Sequence, residues 1–486
     1  VALRRSARSK RWRVPTRLAN AARNGAIAAA VVALAACATY TPAPIDVRVS
    51  AQRFEATRLD DPALRDAAVR ALPDANASWP PVSWNRATLL AVALSRNPGL
   101  STARAEINAA LAAEITAGES PNPTIGLQSE YAKHEPDQWL YGISFDFLMP
   151  VRGVRKLDIE LAKLGTTGAK AELMEQTWTV RRDVVGALSD REHARRRADV
   201  LARLSAAQER VIAIQHRRIE AGEDAPSDLS TADIARIDIE QQASDAKSDA
   251  VAADASLAAA LGVSPAALDG VSIEWNDWGD PPPLESDTLH AAREDALLSR
   301  ADLAVAINAY AEAEAKLERA VARQYPAFDF KPGYYWDHGI AKWPLDVGLT
   351  LPLFNRNRGE IAETTAGRDV AGKRMLAVQA GIDGAIEAAL RAEDVANANV
   401  VTAKKRIDTV HEQLRHADVA LRLGAGDSLE RDTANALALR SELEAIDARA
   451  RRQSARNALE DALHRPLSGP ELMLAKPAAP ESGDNE

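Results

Sequence analysis

The side chains able to do chemistry in this 486-residue chain are few and scattered. Its eight histidines, His134, His193, His216, His290, His338, His411, His416 and His464, form no H-E-x-x-H pair, and one cysteine cannot supply a thiolate zinc site. His411 and His416 lie five apart on a helical pattern, do not share a face, and read as solvated surface residues. No glycine-rich phosphate loop or serine-centred elbow is present, so a hydrolase would have no residues to work with. The chain reads as a non-enzyme, with no cofactor and no metal expected. What stands out is a single thiol, Cys37, and polar groups that follow two glycine turns: Asp228 after Gly222, and Asp432 and Asn435 after Gly426.

Cys37 ends the apolar run GAIAAAVVALAAC at 25–37, and the first 36 residues hold eight Arg or Lys and no acid. About a dozen apolar residues cannot span roughly 30 Å of hydrocarbon as a helix, and a basic flank before them is the pattern of an export signal. Leu34-Ala35-Ala36-Cys37 resembles a bacterial lipoprotein box, with small residues before a cysteine that becomes acylated. Residues 1–36 are then the signal peptide and Cys37 the lipidated N-terminus; Ala38, where an aspartate would mark retention in the inner membrane, implies sorting to the outer membrane. Loss of those eight cations makes the net charge of −9 more negative still, which argues against nucleic acid as a partner. A lone cysteine also leaves no internal disulfide after export.

The elements that must position these residues are written twice. ALSRNPGL at 93–100 is echoed by LLSRADL at 297–303, and PNPTIGLQSEY at 121–131 by YPAFDFKPGYYW at 325–336. WLYGISFDF at 139–147 is answered by WPLDVGLTLPL at 343–353, and Arg152-Gly153 by Arg358-Gly359. Each half then enters a very long helical stretch broken by a glycine turn, IEAGEDAPSD at 219–228 and LGAGDSLERD at 423–432. The reading is a signal peptide at 1–36, an acylated segment at 37–85, repeats at 86–268 and 288–466, a Pro/Gly/Trp-rich loop at 269–287 and a tail at 467–486. Ile407, Val410, Leu414, Ala417 and Leu421 alternate spacings of three and four, as a coiled-coil seam does; Leu439, Leu443, Ile446 and Ala450 continue the seam on the returning helix.

Four segments alternate as strands. Trp139, Tyr141, Ile143, Phe145 and Phe147 share one face of the second, and Phe328, Phe330, Tyr334 and Trp336 one face of the third. An apolar face about ten residues long crosses a bilayer when tilted near 45°, whereas a soluble sheet packed on helices alternates in the same way. Four strands cannot close a barrel in lipid, where the smallest use eight, so strands in a membrane require several copies of the chain.

The repeated ALSRNPGL element, the PNPTIGL strand start, LPLFNRNRGEIAE at 351–363 and the paired AGE and AGD turns resemble the TolC family of outer-membrane efflux channels, from about residue 80 to 466. LPLFNRNRGEIAE is also similar to the heavy-metal, CzcC-like branch. The resemblance implies a mainly α fold with a transmembrane β-barrel: duplicated strand-strand-helical-hairpin repeats, four strands per chain, closing as a trimeric twelve-stranded barrel above a long helical periplasmic tunnel. It implies a homotrimer in outer-membrane lipid that meets a periplasmic adaptor and, through it, an inner-membrane pump, and that passively conducts metal cations or drugs outward.

By the same resemblance Gly222 and Gly426 mark the adaptor-docking tips, and Asp432, with Asp228 and Asn435, is a candidate for the tunnel mouth. Asp146, Asp329 and Asp346 are expected to line the barrel lumen as a negative wall. The rival is a periplasmic adaptor lipoprotein, which would carry one helical hairpin where this chain has two, each behind its own strand pair. A coiled-coil scaffold would leave the strands unexplained.

Overall fold

The computed structural model describes residues 39–71, 79–149 and 153–473. Cys37 lies outside them, as does the signal segment. Two units are distinguished, which divide the described residues between Phe54 and Glu55. In the first, helix α1 (Val47–Ala56) begins where the Asp46 carboxylate accepts the N–H groups of Arg48 and Val49, and α1 buries no side chain.

The second unit opens with α2 (Pro62–Ala71), α3 (Arg86–Arg96) and α4 (Pro98–Gly118). A reciprocal capping box between Asn85 and Thr88 starts α3. Asn97 starts α4 by accepting the N–H of Leu100, and its Nδ2 donates to the Ala260 carbonyl, stitching this corner to the end of the first repeat. Strands β1 (Thr124–Tyr131) and β2 (Trp139–Met149) follow, then α5 (Val154–Glu220) and α6 (Pro226–Leu261). The second repeat gives α7 (Ser286–Ser299), α8 (Ala301–Ala322), β3 (Phe328–Asp337), β4 (Ile340–Lys342), β5 (Leu345–Leu349), α9 (Arg358–Arg422) and α10 (Ser428–Leu463).

At 67 residues α5 is a rod of about 100 Å, and α9 at 65 residues nearly matches it. Leu201, Leu204, Gln208 and Val211 are buried along α5 at the three-four spacing, and α5 packs on α6, α10, α4 and α8. The seam read from sequence on α9 faces inward: Val410 and Ala417 are buried, while Ile407, Leu414 and Leu421 are half-buried. Leu439, Leu443 and Ile446 of α10 are buried in the same core as Leu201 and Leu204.

The segment at 269–287 is built into this core. Trp84 pairs with Ile273, and the buried Trp278 donates to Ser189 Oγ at 3.2 Å.

All sheet pairings are antiparallel, in the order β1-β2-β3, with β4 and β5 both on the far side of β3. The fourth strand therefore differs from the continuous 343–353 segment expected. It is two short pieces with Trp343-Pro344 between them, because Pro344 has no N–H to give the ladder, although its carbonyl still accepts from Gly333. Regular pairing stops at Leu349. The β2–β3 ladder also skips the positions beside Pro332 for the same reason.

Candidate channel surfaces

The register puts the apolar residues in rows. Leu127 of β1 faces Ile143 of β2, which faces Tyr334 of β3; Ile125 faces Phe145; Phe147 faces Phe330, which faces Val347. This face is open: Leu127 is 81% exposed, Ile125 58% and Val347 61%. Tyr131, Trp139, Tyr141 and Trp336 gather at the hairpin end, with Tyr131 and Trp139 at 5.0 Å, and Tyr334 meets Trp343 at 4.7 Å. Phe147, Phe328 and Phe330 gather at the helix end, and Leu127, Ile143 and Ile125 lie between the two ends together with Tyr334 and Phe145.

The opposite face is polar, but it is not the uniformly negative wall expected. Asp146, Lys331 and Asp346 form one row, with Lys331 directly paired to Asp346 and its Nζ 3.0 Å from Asp146 Oδ2. Asp329 lies in the next row beside Gly348. Three carboxylates thus share one ammonium, and the face keeps an acidic surplus. Tyr335 lies over Gly142, where a Cβ would stand 2.2 Å from its ring, so this glycine is required by close approach.

At the other end of the rods the two turns correct part of the sequence reading. Gly222 adopts φ of 76°, the left-handed conformation that ends α5. In the second turn that role falls to Gly424, with φ of 72°, and not to Gly426. Gly426 is glycine because a Cβ there would meet Ala420 and the Leu421 nitrogen at 2.9 Å.

The acids shift accordingly. Asp228 is exposed in the first turn of α6, and its counterpart in α10 is Glu430. Asp432 stands one turn further in, only 2% exposed, with Arg431 at 3.1 Å and Arg210 of α5 at 3.8 Å. Within one chain Asp432 is held inside by arginines; Asn435 is half-buried and only Asp228 is presented to solvent.

Sequence reasoning missed the residue that ties the turns together. Arg218, in the last turn of α5, donates to Asp224 at 2.9 Å and to Asp427 of the second turn. Asp427 also caps α10 by accepting the Leu429 N–H at 3.1 Å. The signal was a cation four residues before Gly222 with acids in both turns; nothing in the local pattern said which acid it meets.

Gly424→Ala is expected to lower stability by about 1–2 kcal/mol, since the added Cβ meets open space and only the left-handed backbone resists it. Gly424→Asn recovers part of the loss because asparagine tolerates that conformation. Thermal melts of the purified variants check this, and equal melting of all three would contradict the strain.

Among the described residues the sheet thus has one open apolar face and two edges without a strand partner, and long helical rods follow it. Residues 89–263 match the family described as outer membrane efflux protein. Comparison with curated proteins returns no match.

Among solved structures the chain is similar to the outer-membrane channel OprN, at 17% identity and a TM-score of 0.65 over 88% of this chain and 98% of that one. It is similar to the outer membrane protein VceC of Vibrio cholerae, at 17% and 0.64 over 79% and 97%. The third similarity is to the MtrE outer membrane channel of Neisseria gonorrhoeae, at 16% and 0.61 over 78% and 88%. The fold is the TolC-type fold that these outer-membrane channels share.

Proposed function

We propose that this chain is an outer-membrane efflux protein that works as the channel of a tripartite efflux system, a homotrimer whose twelve strands close one barrel. The observation that carries this is the open apolar face of a four-stranded sheet with both edges unpaired. Lipid excludes unpaired backbone, so β1 of one copy must pair with β4 and β5 of the next, and three copies give twelve strands. The rods then surround a periplasmic tunnel, and the turns at Gly222 and Gly424–Gly426 form the end that meets a periplasmic adaptor and, through it, an inner-membrane pump. Lipidation of Cys37 adds an anchor to the barrel's own insertion.

Cations are the favoured cargo, because Asp146, Asp329 and Asp346 outnumber Lys331 on the lumen-side face. Asp228 is the tip carboxylate available to line the mouth, and Asp432 becomes available only if α10 moves away from Arg210. Electron microscopy of the purified protein should show threefold rings with a hollow axis; solid particles or monomers would refute the channel. A strain lacking the gene should lose tolerance to divalent metal salts, and sensitivity to hydrophobic drugs with unchanged metal tolerance would remove the cation reading while leaving the channel intact.

A further inference from the structure

Away from the sheet and the turns, the middle of α5, the start of α8 and the end of α10 bring three ligand-type side chains together. Glu175, Asp302 and His464 each offer one donor atom, and these atoms lie within 4.8 Å of one another. They come from both repeats and from the chain's last long helix.

His464 closes α10 in the left-handed conformation, with φ of 47°, and its ring stacks on Trp178 at 5.1 Å. The side chain is 7% exposed. Oε2 of Glu175, on the Nε2 side of this ring, has no hydrogen-bond partner among the described residues. Buried polar atoms without partners carry a desolvation cost, so a group that satisfies them gains what they lack.

The distances say what kind of group fits. His464 Nε2 is 3.9 Å from Glu175 Oε2, too far for a hydrogen bond. A tetrahedral ion holding two donors at about 2.0–2.1 Å each keeps them about 3.4 Å apart, so a shift of the Glu175 side chain by about half an ångström closes the gap. Asp302 is fixed beforehand: Arg300 donates to its two oxygens at 3.0 and 2.8 Å, and the Leu303 N–H donates at 2.8 Å. That fork also neutralises the nearest cation, while Arg182 and Asp461 pair at 3.5 Å.

A cavity of about 680 Å³ bordered by Trp178, Arg300 and His464 gives access from solvent.

We propose that Glu175, Asp302 and His464 bind one divalent transition-metal cation of the zinc class as a resident structural ion that joins α5 to α8 and α10. One imidazole with two carboxylates suits zinc and its neighbours; calcium prefers oxygen alone and copper(I) prefers sulfur. Water from the cavity completes the shell.

The test uses the full-length detergent-purified protein, stripped with a chelator and titrated with zinc chloride alone. Wild type should take up one equivalent per chain and melt at a higher temperature with zinc. Glu175→Gln and His464→Asn, the latter keeping a side chain that tolerates the left-handed cap, should each weaken binding by about 100-fold and remove the thermal shift. X-ray absorption of the zinc form should show a nitrogen and oxygen shell that includes one imidazole. Absence of stoichiometric uptake, an imidazole-free shell, or undiminished binding by Glu175→Gln would overturn the proposal. The glutamate variant decides even if His464→Asn fails to fold, because Glu175 is 35% exposed and its replacement is nearly isosteric.

Discussion

Ile143→Arg should abolish stable insertion, whereas Ser144→Arg, one residue along the same strand, should insert normally and change conductance. Ile143 sits midway along β2, between Leu127 and Tyr334 on the open apolar face. A lysine or arginine on the lipid face of a barrel at the bilayer midplane costs about 2–4 kcal/mol, and a trimer repeats that cost in every subunit. Ser144 points the other way, between Gly333, which the Tyr335 ring and Pro344 approach, and Gly126, which only the Ser144 side chain itself approaches, so a long side chain extends over Gly126. An arginine beside Lys331 would offset the acidic surplus of that face. Membrane fractionation and heat-dependent gel mobility report insertion, and planar-bilayer recording reports conductance and selectivity. If both variants failed to insert, or both inserted equally, the sheet would not be a lipid-facing barrel wall.

The alternation that motivates this experiment was legible because the side-chain period of a strand is fixed at two, so residues 139–147 declare their faces without help from the rest of the chain. The seam on α9 and α10 was legible for the same reason, its period being a property of the helix. The break at Trp343-Pro344 was harder to see, since the alternation runs through the proline and only the backbone lacks its donor. The second turn misled because two glycines stand two apart at 424 and 426. Sequence alone does not say which one carries the positive φ; counted from Gly424, the counterpart of Asp228 is Glu430, and Asp432 stands in the second turn of its helix. The position of Lys331 between Asp146 and Asp346 depends on the register of three strands, which no single segment declares.

What could not be read locally are the contacts between residues hundreds of positions apart. Glu175, Asp302 and His464 belong to three different helices, and no spacing relates them. The same is true of the charges that close the chain's last segment onto its first repeat. Arg181 of α5 donates to Glu460 of α10 at 2.5 Å and to Glu471 at 2.6 Å, and Arg86 of α3 stands 3.3 Å from Glu471. In the sequence these are four ordinary charges in a chain that is 27% charged.

The network sets the second large expectation, a loss of about 3–5 kcal/mol on Arg181→Ala. Glu460 and Glu471 are each 1% exposed, so removing the arginine leaves two carboxylates out of water with Arg86 as the remaining cation. Burial, opposed by Arg181 and Arg86, already raises the Glu471 carboxyl, so little margin exists for losing one partner. The short helical turn Pro470–Met473 carries Glu471, and Glu460 also accepts the Leu467 N–H at 2.9 Å. Loss of Arg181 should therefore release residues 465–473 first. Limited proteolysis should cut that segment in Arg181→Ala under conditions where wild type resists, and the thermal melt should fall with it. Arg181→Met combined with Glu460→Leu and Glu471→Gln removes the charges together and should restore much of the stability, because the penalty comes from uncompensated buried charge rather than from missing attraction. Wild-type protease resistance in Arg181→Ala would mean that the segment is held by packing alone, and a combined variant no better than the single one would assign the loss to the shape of the guanidinium and its contact with Trp178 at 5.4 Å.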